Sequence, residues 1–287
     1  MGDEVRALVE RLLPGREVRT VVRLGGGLDH EAHEVDGELV VRRRRTGDPD
    51  ERAAAVRREA ALLEVVAGVS PLPVPEVVAA DPEAGVLVLR ELPGRPLLDR
   101  PLADPAPLVA PLAGFLRALH ATPVDRVEGI APRDATPPAE WLAEARDAFQ
   151  VVAPGLPGAD RQRVEAFLDA PPPAPPAVAV LCHNDLGAEH LLVDGEPPAV
   201  VVTGVIDWGD AALGDPAVDL ARLHRDLGPA AAEAIRRRDD GLIGDEDLDR
   251  VAFYARCALL EDLAYGVRSG DERYRRAALA NLARTFA

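Results

Sequence analysis

Apolar positions along this chain follow two different periods. Up to about residue 91 several stretches alternate apolar and polar positions, as strands do, whereas beyond residue 97 the apolar positions recur every three or four residues, as in helices. Strands are predicted around Val18 to Val21, Val35, Leu39 to Val41 and Gly85 to Leu89. Helices are predicted at residues 3–13, 48–67, 104–120, 138–149, 161–168, 216–226, 230–238, 245–268 and 271–286. This pattern predicts an α+β protein in which a small antiparallel sheet with one long helix precedes a larger, mainly helical part.

Proline and glycine mark the boundary between these two parts. The segment at 92–96 reads LPGRP, a composition that is unfavourable for a helix or a central strand, and we interpret it as a hinge. We therefore expect a first lobe at residues 1–91 and a second lobe at 97–287. The proline-rich stretch at 171–176 is predicted to be an irregular connector within the second lobe.

The charge of the chain restricts the class of partner. The formal net charge is -16, and because the chain contains no lysine all 33 basic residues are arginine. Nucleic acids and anionic membranes bind through excess cationic side chains, so neither is an expected partner. The acidic excess is largest at residues 96–225, with 19 acidic against 9 basic residues. This favours a cationic small molecule, although general solubility is an equally good explanation.

The expected cellular location of the protein follows from the length of its apolar segments and from the charge of its first residues. The longest apolar runs are far too short to span a bilayer. The chain also opens on Met1-Gly2-Asp3-Glu4, which is acidic where a signal peptide would be basic. We therefore expect a cytoplasmic protein.

Candidate chemistry is concentrated in one block at residues 182–216, which contains CHNDLGAEHLLVD and then TGVIDWGDAALGDP. Two carboxylates, Asp185 and Asp207, stand 207 − 185 = 22 residues apart, with His183 and His190 near the first. Phosphoryl transfer requires positioning and charge neutralisation from a protein more than covalent chemistry. Asp185 is the candidate that accepts the proton of an attacking hydroxyl, and His190 and Asp207 are candidate ligands of Mg²⁺.

This block resembles the aminoglycoside phosphotransferases and their relatives, which are small-molecule kinases with a bilobal protein-kinase-like fold. Their usual pattern is H-G-D, four residues and Asn, followed by I-D-W/F and G-D-P. Here Asn184 replaces the common Gly and His190 replaces the usual Asn. Both changes occur together in aminoglycoside 2″-phosphotransferases, and the histidine also occurs in macrolide phosphotransferases. The resemblance implies that Asp185 is the catalytic residue, that His183 orients its loop, and that His190 binds metal weakly or through water.

The same resemblance implies a nucleotide site in the first lobe. It places Arg42 at the position of the family's phosphate-binding lysine, paired with Glu59 on the long helix, while Arg43 to Arg45 are either further phosphate contacts or a solvated run. The other candidates are three glycines whose amides would approach the phosphates and three positions whose backbone would receive the base, namely Gly25, Gly26, Gly27, Arg90, Glu91 and Leu92. Backbone contacts to the base leave ATP and GTP equally compatible with the sequence.

Four further carboxylates lie in or near the block. Glu189 and Asp210 are candidates for binding substrate ammonium groups, with solvated surface as an equally good interpretation. Asp215 and Asp219 are expected to be structural, because the resemblance places them where they cap the next helix and tie the catalytic loop.

These features together predict a Mg²⁺-dependent O-phosphotransferase that uses ATP or GTP to phosphorylate a small cationic molecule, most plausibly an aminoglycoside, and thereby inactivates an antibiotic. The alternatives within the enzymes are a kinase for a macrolide, a peptide antibiotic, or a metabolite such as homoserine or choline. An alternative of another class is a catalytically silent nucleotide-binding scaffold, against which the presence of both Asp185 and Asp207 argues. The protein is expected to be a monomer or a homodimer.

Overall fold

An antiparallel five-stranded sheet and one long helix form the first part of the chain, in agreement with the alternating pattern. The computed structural model describes residues 2–25, 30–238 and 242–287, so that Gly26 and Gly27 lie outside the described residues. In chain order the elements of this part are α1 (Gly2–Leu12), β1 (Val21–Gly25), β2 (His30–Val35), β3 (Leu39–Arg44), α2 (Pro49–Ala67), β4 (Val77–Asp81) and β5 (Val86–Arg90). Across the sheet the strand order is β1-β2-β3-β5-β4.

The two faces of this sheet have different partners, because successive side chains of a strand point to opposite sides. On one face, valines of β2, β3 and β5 pack with Val5 and Val9 of α1. On the other face, Leu87 and Leu89 join the main core of the molecule. Arg42 of β3 lies in register with Leu87 and shares this second face. The arginine is therefore directed towards the second part of the chain.

Helix α2 begins with a capping box. The amide of Glu51 donates to Asp48 Oδ1, and the amide of Asp48 donates to the Glu51 carboxylate, both at 3.0 Å. Its buried face carries Val56, Leu62, Leu63 and Val66, as predicted, and the helix ends at Ala67 before Gly68. Glu59 is buried on the same helix. A carboxylate is thereby buried opposite the second face of the sheet.

The second part of the chain is mainly helical, with two small sheets between its helices. Its elements are β6 (Arg95–Pro96), α3 (Ala106–His120), α4 (Pro138–Val152), α5 (Gly158–Asp169), β7 (Val180–Cys182), β8 (Leu191–Asp194), β9 (Val201–Val205), β10 (Ala212–Gly214), α6 (Pro216–Leu227), α7 (Pro229–Arg236), α8 (Leu248–Ser269) and α9 (Glu272–Thr285). Strand β7 pairs with β10, while β8 pairs with β6 and β9. Together with the first part this confirms the predicted α+β class.

The segment at 92–96, interpreted from the sequence as a hinge, contains a short edge strand at one end. Arg95 and Pro96 form β6 and pair with the middle of β8. Gly94 has φ of +106°, and a Cβ at this position would lie 2.9 Å from the Val193 carbonyl oxygen, so both its conformation and its close approach require glycine. Only these last two residues of the segment pair with the second part, which a proline at the edge of a sheet permits.

Other departures concern element boundaries. Strand β4 has no counterpart in the sequence-based prediction, and α5 starts at Gly158 rather than Arg161. The helix expected from Asp245 begins at Leu248, because Asp245–Asp247 form a separate 3₁₀ turn. In the described ranges, no helix has both the length and the apolar character needed to cross a membrane.

Candidate active site

Two short loops bring the predicted catalytic and metal-binding residues together. The first loop, residues 183–190, connects β7 to β8, and the second, residues 206–211, connects β9 to β10. Because β7 pairs with β10 and β8 pairs with β9, both loops leave the two small sheets side by side. The sequence block at 182–216 therefore folds into one site.

His183 links the two loops. It is fully buried, its Nε2 lies 3.0 Å from the Ile206 carbonyl oxygen, and its Nδ1 accepts a hydrogen bond of 3.3 Å from the amide of Asp185. Its ring also packs on Trp208, with 4.6 Å between the ring centroids. Burial lowers the pKa of His183, although the neighbouring Asp219 opposes this shift. A neutral ring with Nε2 protonated satisfies both hydrogen bonds, which suits an orienting residue better than one that titrates during turnover.

Asp185 lies between an arginine and a histidine. Its Oδ1 is 3.5 Å from the Arg222 guanidinium and its Oδ2 is 3.4 Å from His190 Nδ1. Burial raises the pKa of Asp185, but the charges of Arg222 and then His190 outweigh burial and lower it below its usual value. The carboxylate is consequently ionised at neutral pH and able to accept a proton or a hydrogen bond.

His190 and Asp207 have the donor atoms that a cation site would need. The Nδ1 of His190 lies 2.8 Å from the Asp185 carbonyl oxygen, and its Nε2 lies 3.7 Å from Asp207 Oδ2. A backbone partner at Nδ1 fixes the orientation of a ligating histidine and directs its other nitrogen at the metal. Asp185, Glu189 and His190 also offer ligand atoms that lie within 4.8 Å of one another. Carboxylate oxygens are typical Mg²⁺ ligands, whereas imidazole is the weaker member of this set.

Backbone conformation explains one departure from the usual family pattern. Asn184 has φ of 66° and Asp207 has φ of 63°, values in the left-handed region that most side chains avoid. Asparagine and aspartate tolerate this region better than other non-glycine residues. Asn184 therefore takes the conformation for which glycine is the common residue, and its side-chain amide donates to the Asp210 carbonyl oxygen at 3.1 Å.

Arg42 connects the first lobe to this site. One guanidinium nitrogen lies 2.5 Å from Glu59 and another lies 2.7 Å from Asp207 Oδ1. The predicted pairing of Arg42 with Glu59 is thus confirmed, and the arginine also reaches the candidate metal ligand. Burial raises the pKa of Glu59, which Arg42 counteracts. The two oxygens of Asp207 have different partners, Arg42 at Oδ1 and His190 at Oδ2. A metal ion bound to Asp207 would therefore lie next to the Arg42 guanidinium.

In the predicted base-binding segment, Arg90 to Leu92, the first two backbone amides already donate hydrogen bonds to other residues of the first lobe. The amide of Arg90 donates to the Glu76 carbonyl oxygen and that of Glu91 donates to the Glu38 carbonyl oxygen. Leu92 packs close to Gly204 of β9. The Oε2 of Glu91 is buried and has no hydrogen-bond partner among the described residues. Of the three predicted triphosphate-loop glycines, only Gly25 is described, at the end of β1.

A cavity of about 550 Å³ opens beside Asp185 and Asp207. Six carboxylates and three arginines line it, namely Asp185, Glu189, Asp207, Asp210, Glu261, Asp262, Arg44, Arg222 and Arg268. Glu189 is less available than the sequence suggests, because its carboxylate lies 3.3 Å from the buried Arg225. Asp210 is exposed and borders a second, adjoining cavity. Both candidates therefore line the main cavity, and Asp210 also borders the adjoining one.

Sequence reasoning missed the contribution of α6 and α8. Asp219 is fully buried and accepts hydrogen bonds from the amides of His183 and Asn184 at 3.0 and 2.8 Å, which confirms its expected structural role. Asp215 caps α6 by accepting from the Ala217 amide, also as expected. Arg222 on α6 and the polar face of α8 were not singled out. The signal that could have found them is helical spacing, since polar residues recur at 219, 222 and 226 and again at 261, 265 and 268.

Comparisons with known proteins place this chain in a family. A model of the phosphotransferase enzyme family matches residues 20–254. Viomycin phosphotransferase of Streptomyces vinaceus is 33% identical over 283 residues, covering 93% of this chain and 94% of that protein. N-acetylmuramate/N-acetylglucosamine kinase of Caulobacter vibrioides is 32% identical over 206 residues, covering 64% of this chain and 54% of that protein.

Solved structures show the same architecture. The GDP complex of wild-type aminoglycoside 2′-phosphotransferase-IIIa has a TM-score of 0.72 at 21% identity and covers 99% of this chain and 98% of its own. A macrolide 2′-phosphotransferase from Brachybacterium faecium has a TM-score of 0.63 at 27% identity, with 98% of each chain covered. The predicted bilobal, kinase-like fold is therefore confirmed.

Fold and comparisons together define a phosphotransferase, an enzyme that phosphorylates a hydroxyl group. More narrowly, the chain belongs to the phosphotransferase enzyme family, whose model matches 235 of its 287 residues (254 − 20 + 1 = 235). The family resemblance inferred from the sequence is thereby confirmed.

Proposed function

We propose that this enzyme transfers the γ-phosphoryl group of ATP or GTP to a hydroxyl of a cationic antibiotic, with viomycin or an aminoglycoside as the acceptor. The observation that carries the proposal is the cavity beside Asp185 and Asp207, where six carboxylates face three arginines. Such an excess of carboxylates attracts ammonium groups. The names of the relatives, viomycin phosphotransferase and aminoglycoside 2′-phosphotransferase, support this acceptor class.

In this proposal each residue has one role. Asp185 hydrogen-bonds the acceptor hydroxyl and receives its proton, and His183 holds the loop that presents Asp185. Arg42, paired with Glu59, neutralises phosphate charge. His190 and Asp207 hold Mg²⁺, which when bound neutralises charge on the phosphate oxygens. Asp210 is the carboxylate proposed to bind an acceptor ammonium.

We assign the lobes to residues 1–91 and 97–287, joined by a hinge at 92–96. The five-stranded sheet ends with β5 at Arg90, and Arg95 already pairs with β8. The nucleotide base would then bind between the lobes, at the Glu91 carbonyl and the Leu92 amide, since the Glu91 amide is engaged with Glu38.

The proposal is tested by nucleoside diphosphate release from Mg-ATP or Mg-GTP in the presence of single acceptors. Viomycin, kanamycin, gentamicin and streptomycin represent polycationic antibiotics, a macrolide represents the other antibiotic class named among the similar structures, and N-acetylglucosamine represents a neutral sugar. We expect turnover of viomycin or of an aminoglycoside. Turnover of only the macrolide would contradict viomycin or an aminoglycoside as the acceptor, and turnover of only the sugar would contradict a cationic acceptor. Nucleotide binding without turnover of any acceptor would favour the silent scaffold.

Substitution of Asp185 tests its role separately. Asp185→Asn retains the shape of the side chain but removes the proton acceptor, and we expect the turnover number to fall by about 10²–10⁴. Asp160→Asn is the matched control, because it alters a carboxylate on α5 that pairs with Arg163 outside the cavity. Equal activity of the Asp185→Asn variant and the wild type would exclude Asp185 as the base.

A further inference from the structure

One face of helix α6 holds the whole catalytic loop. Asp219 accepts hydrogen bonds from two loop amides, and Asp226 accepts another from the amide of Ala188 at 2.7 Å. Between these two, at helical spacing, Arg222 lies 3.5 Å from the Oδ1 of Asp185. The helix therefore fixes the backbone of the loop at both ends and the side chain of the catalytic residue in the middle.

Arg222 also reaches the wall of the acceptor cavity. It is 7% exposed, and its second guanidinium nitrogen lies 3.3 Å from Glu261 of α8. Glu261 is an exposed residue that lines this cavity and the adjoining one, as Arg222 itself does. The Nε of Arg222 is buried without a hydrogen-bond partner within the described residues. This arginine is thus held in place by two carboxylates, one catalytic and one on the cavity wall.

An acidic cavity that binds polycations has an inherent problem. A free carboxylate in it would attract an ammonium group of the acceptor more strongly than a hydroxyl, because an ion pair is the stronger interaction. An ammonium paired with Asp185 would occupy the position that the hydroxyl must take, and the complex would be unproductive. A fixed positive charge beside Asp185 removes this competition, since like charges in contact are strongly disfavoured.

We propose that Arg222 is a positioning and specificity residue that occupies the Oδ1 of Asp185, so that a polycationic acceptor presents a hydroxyl, and not an ammonium, to this carboxylate. The inference rests on the proposed role of Asp185 as the base. A carboxylate has about four acceptor positions on its two oxygens, so the contact with Arg222 leaves room for the hydroxyl. Ammonium groups would then bind at the other acids of the cavity, among them Asp210.

The first test compares Arg222→Gln with wild type, using viomycin or kanamycin, whichever is turned over, as the acceptor. We expect the turnover number to fall by about 10², because the base is mispositioned and competes for ammonium groups, while the acceptor KM stays the same or falls. Arg222→Lys, which keeps the charge, should recover part of the turnover number. A raised KM with an unchanged turnover number would overturn the proposal, since it would make Arg222 a simple binding residue.

The second test uses spermine, a polycation without a hydroxyl group, and needs no acceptor turnover. Calorimetric binding of spermine should be about fivefold tighter to the Arg222→Gln variant than to the wild type, the gain of about one accessible ion pair. Arg222→Lys should bind it like the wild type. Equal spermine affinity of the Arg222→Gln variant and the wild type would overturn the proposal, even if every antibiotic is turned over. If no antibiotic is turned over, the proposed function fails, but the spermine comparison still tests the role of Arg222.

Loss of stability is separated from loss of positioning by a control. Arg236→Gln removes a similarly buried, ion-paired arginine on α7 that contacts Glu233 and Asp245 away from the cavity. We expect it to lower the unfolding temperature without changing the turnover number, the acceptor KM or spermine affinity. If the Arg222→Gln and Arg236→Gln variants gave the same kinetic profile, Arg222 would be merely structural.

Discussion

At the scale of single residues, Arg42 contributes both to the packing of the first lobe and to the candidate active site. Its guanidinium bridges the buried Glu59 and the candidate metal ligand Asp207, so it already lies where phosphate charge would be neutralised. We expect Arg42→Ala to raise the nucleotide KM by about tenfold or more, the loss of a charge-assisted hydrogen bond. Steady-state kinetics with Mg-ATP and Mg-GTP measure this directly.

The neighbouring arginines provide the control for this prediction. Arg43 points to the opposite face of the sheet, where it borders a separate cavity with Glu4 and Glu31. Arg43→Ala should therefore leave the nucleotide KM unchanged. Arg44 shares the face of Arg42 and lines the main cavity, so an unaltered KM in Arg42→Ala would assign the phosphate contact to Arg44 instead.

The candidate residues of the site divide into two groups by how they could be found. Asp185 and Asp207 could be predicted because the chemistry requires carboxylates in a local motif, and the loops that hold them are adjacent in sequence. For Arg222 the sequence offers only helical spacing with Asp219 and Asp226, which places the three residues on one face of a helix but does not show that this face packs on Asp185. Long-range packing of α6 on the loop decides this.

At the scale of elements, α6 couples the stability of the fold to the catalytic loop. Asp219 is fully buried and accepts hydrogen bonds from two loop amides. Its Oδ2 also lies 3.0 Å from the Nε2 of His120 on α3. We expect Asp219→Ala to lower the free energy of unfolding by about 3–6 kcal/mol, because it removes both loop amides from a carboxylate and hydrogen bonds to a charged group are worth about 1.5–3 kcal/mol each. The turnover number should fall as well, since the loop loses two of its anchors.

Urea unfolding and the turnover number measure these two effects. Asp48→Ala is the matched control, because Asp48 also accepts a backbone amide but caps α2 far from the loop. It should cost about 1 kcal/mol and leave the kinetics unchanged. If Asp219→Ala altered stability and activity no more than Asp48→Ala does, α6 would not be the element that holds the loop.

Element prediction succeeded where the local signal was strong. The start of α2 at Asp48-Pro49 combines a cap, a first-turn proline and an apolar face, and all three are present in the structure. Strand β4 and the short β6 had no such signal, because their strand character comes from pairing with β5 and β8. Propensity alone does not reveal pairing partners that are distant in the chain.

At the scale of the whole molecule, the net charge of -16 and the acidic cavity should both act on a cationic acceptor. Salt screens such attraction, with a Debye length of about 10 Å at 0.1 M. We therefore expect kcat/KM for the cationic acceptor to fall about five- to tenfold between 50 and 300 mM NaCl, while kcat at saturation changes little. Acceptor-dependent rates at fixed Mg²⁺ and nucleotide concentrations measure this effect.

Two single substitutions separate the local field from the overall charge. Asp210→Asn removes one carboxylate inside the cavity, and Asp194→Asn removes one from the exposed end of β8. Both change the net charge equally, but only the first should lower kcat/KM at low salt and flatten its salt dependence, since the field of a carboxylate is strongest within a Debye length. If both variants changed the salt dependence of kcat/KM equally, the net charge of the whole protein would attract the acceptor. The carboxylates of the cavity would then contribute through direct contacts with the acceptor and not through long-range attraction.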